Sequence, residues 1–156
     1  MKKTKPNNLV TTNDYVEFLN GIKSRIRSAQ ISASRILNKG LVGLYWLIGK
    51  DIVDKQEKLG WGKAVVERLS ADLRAEFGEK SGFSVQNLWY MRKFYREYKS
   101  LANLQPLAGE IAWTKNILIL DRCTNLLQRE FYLRATARFG WTRRVLEHQI
   151  EIRLRN

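Results

Sequence analysis

Several kinds of chemistry are excluded by what the chain lacks. It holds one cysteine, Cys123, and one histidine, His148. One cysteine closes no disulfide within a chain, and one of each builds no Cys/His metal cluster. Neither a glycine-rich phosphate loop, a GxSxG nor an HExxH occurs, so no cofactor or metal is expected. Long apolar runs are also missing. The longest, Gly40 to Gly49, has ten residues, too few to cross a bilayer. The basic start, MKKTKPNN, has no apolar stretch behind it and does not read as a signal peptide. With a lone cysteine, this points to a reducing, cytoplasmic setting and no membrane partner. Only two prolines, Pro6 and Pro106, interrupt the chain. No strong period-two segment is present. The run ILIL at Ile117 has strand propensity but helical surroundings, so the expected fold class is all-α.

Acidic residues are scarce as well. Fifteen acids face 28 basic residues, a net charge of +13 over 156 residues. That excess suits a polyanionic partner, nucleic acid first and an acidic membrane surface second. A hydrophobic fraction of 44% with 11% aromatics supports a packed core and argues against a disordered chain.

The periodicity divides the chain. Residues 1–13 read as a disordered basic lead, and 14–156 as one helical domain. Within it, 14–59 is a long helical segment, capped by Asn13 or Asp14 and starting at Tyr15. Tyr15, Leu19, Ile22, Ile26, Ala29, Ala33 and Ile36 follow a 3-4 seam spacing. A helix packed on its own domain explains such a seam, and so does a partner helix. Tyr15, Leu19, Ile22, Ile26 and Ile36 are therefore the candidates for oligomerisation, most simply as a dimer. Residues 63–99 hold an amphipathic helix, a turn after Gly78, and a helix from Val85 capped by Ser84. Pro106 and Gly109 are expected to break the chain. Residues 110–156 hold three further helices, about 111–120, 125–139 and one capped by Thr142.

One pattern occurs twice. GFSVQNL, from Gly82, and GWTRRVL, from Gly140, each set glycine, an aromatic, a hydroxyl residue and then a leucine. Each follows a helix containing Leu-Arg-Ala and ending in Phe-Gly. Glycine permits the reversal, the hydroxyl satisfies a free backbone N–H, and the leucine begins the buried face. Helix, glycine turn and capped helix is the order of a helix-turn-helix, whose second helix reads the major groove. Two structural corners with solvated basic faces would produce the same order. On the second helix, Leu88, Met91, Tyr95 and Tyr98 form the inner stripe with Phe94 at its edge. The opposite face then carries Gln86, Trp89, Tyr90, Lys93 and Glu97, flanked by Arg92 and Arg96. Gln86 suits adenine, and the cations suit phosphate or guanine. Exposed Trp89 and Tyr90 on a polar face suggest contact with nucleic acid or protein. The DNA-contact candidates are Lys80, Ser84, Gln86, Trp89, Tyr90, Arg92, Lys93 and Arg96 from the first copy, and Arg143 and Arg144 from the second.

Catalysis has little support. Glu97-Tyr98-Lys99 has a Glu-x-Lys form, but it ends a predicted helix and lacks an upstream strand-borne aspartate. Cys123 reads as a small buried residue and His148 as surface or packing.

The segments YWLIGKDIV, GWGKAVVERLSADLRAEFG, GFSVQNLWYMRKFY, IAWTKNILIL and GWTRRVLEHQI resemble, in order and spacing, the N-terminal domain of YhcG-type bacterial nuclease-associated proteins. The resemblance covers most of the chain after about residue 16. It implies a helical, winged-helix-like DNA-binding region followed by a restriction-endonuclease-like domain with the catalytic carboxylates and lysine. That domain would lie beyond Asn156, so no catalytic residue carries over. Family members often place arginines after the FS of the FSxxNLxxMRxFY motif. Val85 and Gln86 stand there in this chain, while Arg92 is kept. The expectation is a non-catalytic module that binds DNA, double-stranded before single-stranded or RNA, and targets or regulates a nuclease. A helical interaction adaptor with incidental charge is the alternative.

Overall fold

The computed structural model describes residues 12–155, all in helices and short connections. Seven helices follow one another: α1 (Thr12–Leu59), α2 (Lys63–Phe77), α3 (Val85–Tyr98), α4 (Leu104–Ala108), α5 (Trp113–Arg122), α6 (Leu126–Phe139) and α7 (Arg143–Arg155). The all-α expectation holds. No strand occurs among the described residues, so no β wing is found there. The expected disordered lead falls largely on residues 1–11, outside the described residues. Its boundary is corrected at the other end. Asn13 and Asp14 are inside α1, with Asp14 in the first turn, where a carboxylate suits the positive end of the helix dipole.

The chain divides into two units, Met1–Ile36 and Leu37–Asn156. In the first unit, the seam of α1 is open to solvent. Tyr15, Ile22, Ile26 and Ile36 are exposed, and Leu19 is half-buried.

The second unit is built on α3. Leu88, Met91, Phe94 and Tyr98 are fully buried, one stripe at helical spacing. Helical phase puts Phe94 at the stripe's edge, but it stands at its centre. Its ring meets Trp46, Tyr98 and Trp113 edge-on at centroid distances of 5.2, 5.2 and 5.4 Å. Such edge-to-face pairs add to the burial of the rings themselves. The later part of α1 crosses α3 at Gly49, where a β-carbon would overlap the Met91 carbonyl. Val42, Tyr45 and Ile52 of α1 close that side of the core.

Pro106 does not break the chain, contrary to expectation. It lies inside α4, near enough to the start that its missing N–H costs no helical bond. Buried Asn116 of α5 donates to the carbonyls of Ala108 (2.9 Å) and Ala112 (3.1 Å), fixing the α4–α5 turn. Arg129 of α6 is 4% exposed and donates to the carbonyls of Cys123 and Leu120 and to the Glu97 carboxylate. Glu97, expected on the outward face of α3, is drawn in by the buried guanidinium. Cys123 is buried as expected, and burial pushes its thiol pKa up.

Candidate nucleic-acid interface

Both copies of the glycine–aromatic–hydroxyl pattern form capped helix starts. In the first, the Ser84 hydroxyl accepts from the Asn87 N–H at 3.1 Å. Gly82 has φ +91°, and a β-carbon there would lie 2.6 Å from the Tyr45 hydroxyl. Glycine is thus required twice, by backbone angle and by space. In the second, Gly140 has φ +64°, and the Thr142 hydroxyl accepts from the Val145 N–H at 3.2 Å. Leu88 and Leu146 are each fully buried behind their caps. The aromatic after the glycine meets the phenylalanine that ends the preceding helix in both copies. Phe83 lies 6.1 Å from Phe77, and Trp141 lies 5.8 Å from Phe139, centroid to centroid.

Asn87 organises the start of α3, a role that the sequence pattern did not assign to it. Its side-chain amide donates to the Gly82 carbonyl at 2.6 Å, and its oxygen accepts from the Trp113 indole at 2.7 Å. Tyr45 packs edge-on against the same indole at 4.9 Å. One residue thereby ties the turn, the start of α3 and the start of α5. An asparagine three positions after a serine cap was the available signal.

The starts of α3 and α7 open on a common cleft of about 410 Å³. It is lined by Ser84, Gln86 and Tyr90 from the first copy, Thr114 and Asp121 from α5, and Arg143 from the second copy. The first turns of α3, α5 and α7 all contribute to its wall. Helix starts carry free N–H groups and partial positive charge, which favour an anion such as phosphate. A neighbouring hollow of about 490 Å³ is lined by Val85, Gln86, Trp89, Tyr90 and Lys93. Asp121 is the acidic member of the site. It accepts from the Tyr90 hydroxyl at 2.7 Å, and its other oxygen is 3.9 Å from the Lys93 ammonium. The hydrogen bond to Asp121, with burial, raises the Tyr90 pKa and keeps the phenol a donor.

The structure sorts the candidate residues. It brings Ser84, Gln86, Tyr90 and Arg143 together, with Trp89 and Lys93 beside them. Lys80, Arg96 and Arg144 are exposed and line neither hollow. Two expectations are corrected. Trp89 and Tyr90 are half-buried and packed against the core. Arg92 turns away from the cleft: it donates to the Gln56 side chain of α1 and lies over the Trp89 ring at 5.3 Å. Burial, with nearby Arg96, lowers its pKa. Among the described residues no cluster of His, Cys, Asp and Glu is grouped to hold a metal ion, and no helix is long and apolar enough to cross a membrane.

These features define a basic, all-helical domain with two capped helix starts facing one cleft. The chain belongs to the DUF1016 N-terminal domain family, whose pattern matches residues 21–156. It is 29% identical over 172 aligned positions to the protein named "Putative nuclease YhcG" from Escherichia coli (strain K12), covering 90% of this chain and 45% of that relative. The chain thus spans somewhat less than half the length of this curated relative. No solved structure matches it.

Proposed function

We propose that this domain binds double-stranded DNA and targets or regulates a nuclease, without catalysing cleavage itself. The observation that carries this is the cleft in which Gln86 and Tyr90 of the N-terminal half of α3 meet Arg143 of the first turn of α7, more than fifty residues later in sequence. In this reading α2 and α3 act as a helix-turn-helix. Gln86 faces base edges, and Lys93 and Arg143 hold phosphates on either side. The net charge of +13 supplies long-range attraction. The name of the YhcG relative supports the nuclease association. The exposed Tyr15–Ile36 seam serves as the helix-pairing face of a dimer.

A second reading, a protein-interaction adaptor, is favoured by that same seam. Titration of a labelled duplex, a single strand and an RNA separates the readings. The DNA reading expects duplex binding that falls steeply with salt, and a loss of about tenfold or more on Lys93→Glu with Arg143→Glu. No duplex binding in about 100 mM salt, with a stable oligomer present, would establish the adaptor instead.

A further inference from the structure

Two apolar features lie uncovered among the described residues. One is a groove of about 800 Å³ between α1 and α2, walled by Leu44, Ile48 and Ile52 on one side and Val65, Leu69 and Leu73 on the other. The second is the exposed seam of α1, from Tyr15 to Ile36. An apolar groove between two helices is the receptor half of a helix-in-groove contact, and a seam at 3-4 spacing is the ligand half.

Charge decides between the ways these features could be covered. Residues 50–80, which supply most of both groove walls, carry seven basic and seven acidic side chains, so the whole excess of +13 lies outside them. Asp51 lines the groove on α1. Glu76 is exposed on α2 next to the groove-lining Phe77; it follows Val65 by eleven residues and Leu69 by seven, so helical phase sets it beside the groove wall. Neither carboxylate has an ion pair among the described residues. Lys55, the cation of the same rim, lies over the Trp61 ring at 6.0 Å. The seam is the opposite case. Its one acid, Glu17, stands at its N-terminal end; from Phe18 to Gly49 there is no acid, and Lys23, Arg25, Arg27, Arg35 and, just beyond the seam, Lys39 are the charges. Lys23 and Arg25 flank the apolar stripe on its two sides. Two seams laid parallel would set these cations against their own copies, and laid antiparallel about Ile26 they would set Arg25 against the partner's Arg27. A seam laid in the groove sets them against Asp51 and Glu76.

We propose that the groove receives the Tyr15–Ile36 face of a second copy of this chain, each copy giving its seam to the other's groove about a two-fold axis. The occupant is long enough. Twenty-two helical residues run about 33 Å and α2 about 22 Å, at 1.5 Å per residue. Reciprocal exchange makes two such contacts per dimer, as an isologous interface requires. This inference rests on the dimer reading above and names the seam's partner.

Cysteine pairing in the full chain tests it. Cys123 is buried, so the parent chain supplies the unlinked control. Differently tagged Ile26→Cys and Leu69→Cys chains are mixed, allowed to exchange and oxidised gently. The proposal expects a disulfide-linked dimer holding one tag of each kind, and little linkage within either variant alone. A reverse-charge chain, Asp51→Lys with Glu76→Lys, should raise the dimer dissociation constant about tenfold, and adding Lys23→Glu with Arg25→Glu should restore it. Self-linkage of Ile26→Cys in a dimeric protein would overturn the groove and leave the dimer standing. Sedimentation of the parent chain as a monomer would remove the dimer reading itself.

Discussion

Gly49 and Asn87 show how much of this fold turns on single positions. α1 can cross α3 as closely as it does only because Gly49 has no side chain. Gly49→Ala should therefore cost about 1–3 kcal/mol, as overpacking does. Gly40, on the same helix, has open space around it, and Gly40→Ala should stabilise by about 0.5–1 kcal/mol through helix propensity. Urea unfolding of the two variants checks the contrast in sign. Equal effects would show that the crossing is looser than described. Arg129 makes the same point for charge. Its guanidinium is buried and Glu97 is its anionic partner, at 40% side-chain exposure. Glu97→Ala should cost about 2 kcal/mol, below the range for a wholly buried pair because Glu97 meets solvent. Thermal unfolding measures it. Here the sequence misleads for a physical reason. Helical phase places Glu97 outward, and nothing in its neighbourhood announces an arginine 32 positions later. The Glu-x-Lys form at Glu97 accordingly marks a structural ion pair.

At the scale of elements, the capped helix starts were legible and their surroundings were not. Ser84 and Thr142 were expected to cap helices, and each accepts the backbone N–H three residues on. Such bonds follow from local sequence alone. Ser84→Ala and Thr142→Ala should each destabilise the chain by about 1 kcal/mol. Asn87→Ala should cost more, since it removes the tie to Gly82 and leaves the Trp113 indole without its acceptor. Chemical denaturation of the three variants ranks them; an Asn87→Ala effect no larger than that of the caps would deny it the joining role. The helix that carries the seam was legible because its spacing is strict, and in α1 most of the seam is exposed; that it pairs belongs to the proposal above. Arg92 was not legible. It lies on the outer half of a helical wheel, yet it reaches Gln56 on α1. A wheel gives directions around one axis and carries no record of which neighbouring helix stands where. Trp89 and Tyr90 were misjudged as exposed: both are half-buried against the core, and the Tyr90 hydroxyl reaches Asp121 of α5.

For the whole molecule, the charge is segregated, and this separates a general attraction from a local site. Residues 50–80 are balanced, and the excess is spread over the rest of the chain, with +3 on the Tyr15–Ile36 seam, +2 on α3 and +2 on α7. A protein at +13 would show salt-dependent binding to any polyanion, so weakening by salt alone does not locate a site. The slope of binding against salt does, because it counts the phosphates neutralised at the contact. Each phosphate contact adds about 0.9 to the slope on duplex DNA. Lys93→Glu with Arg143→Glu removes two cations at the cleft and lowers the net charge by four. Lys58→Glu with Lys63→Glu lowers it by the same amount at the exposed α1–α2 connection. If the cleft is the contact, the first pair should reduce the slope by about two, and the second should leave it within error of the parent. Both pairs should lose some affinity at low salt, where the field of the whole protein acts over tens of ångströms, and the two should part company as salt shortens that range. Equal slopes for both pairs would mean that the chain attracts DNA without engaging it at the cleft.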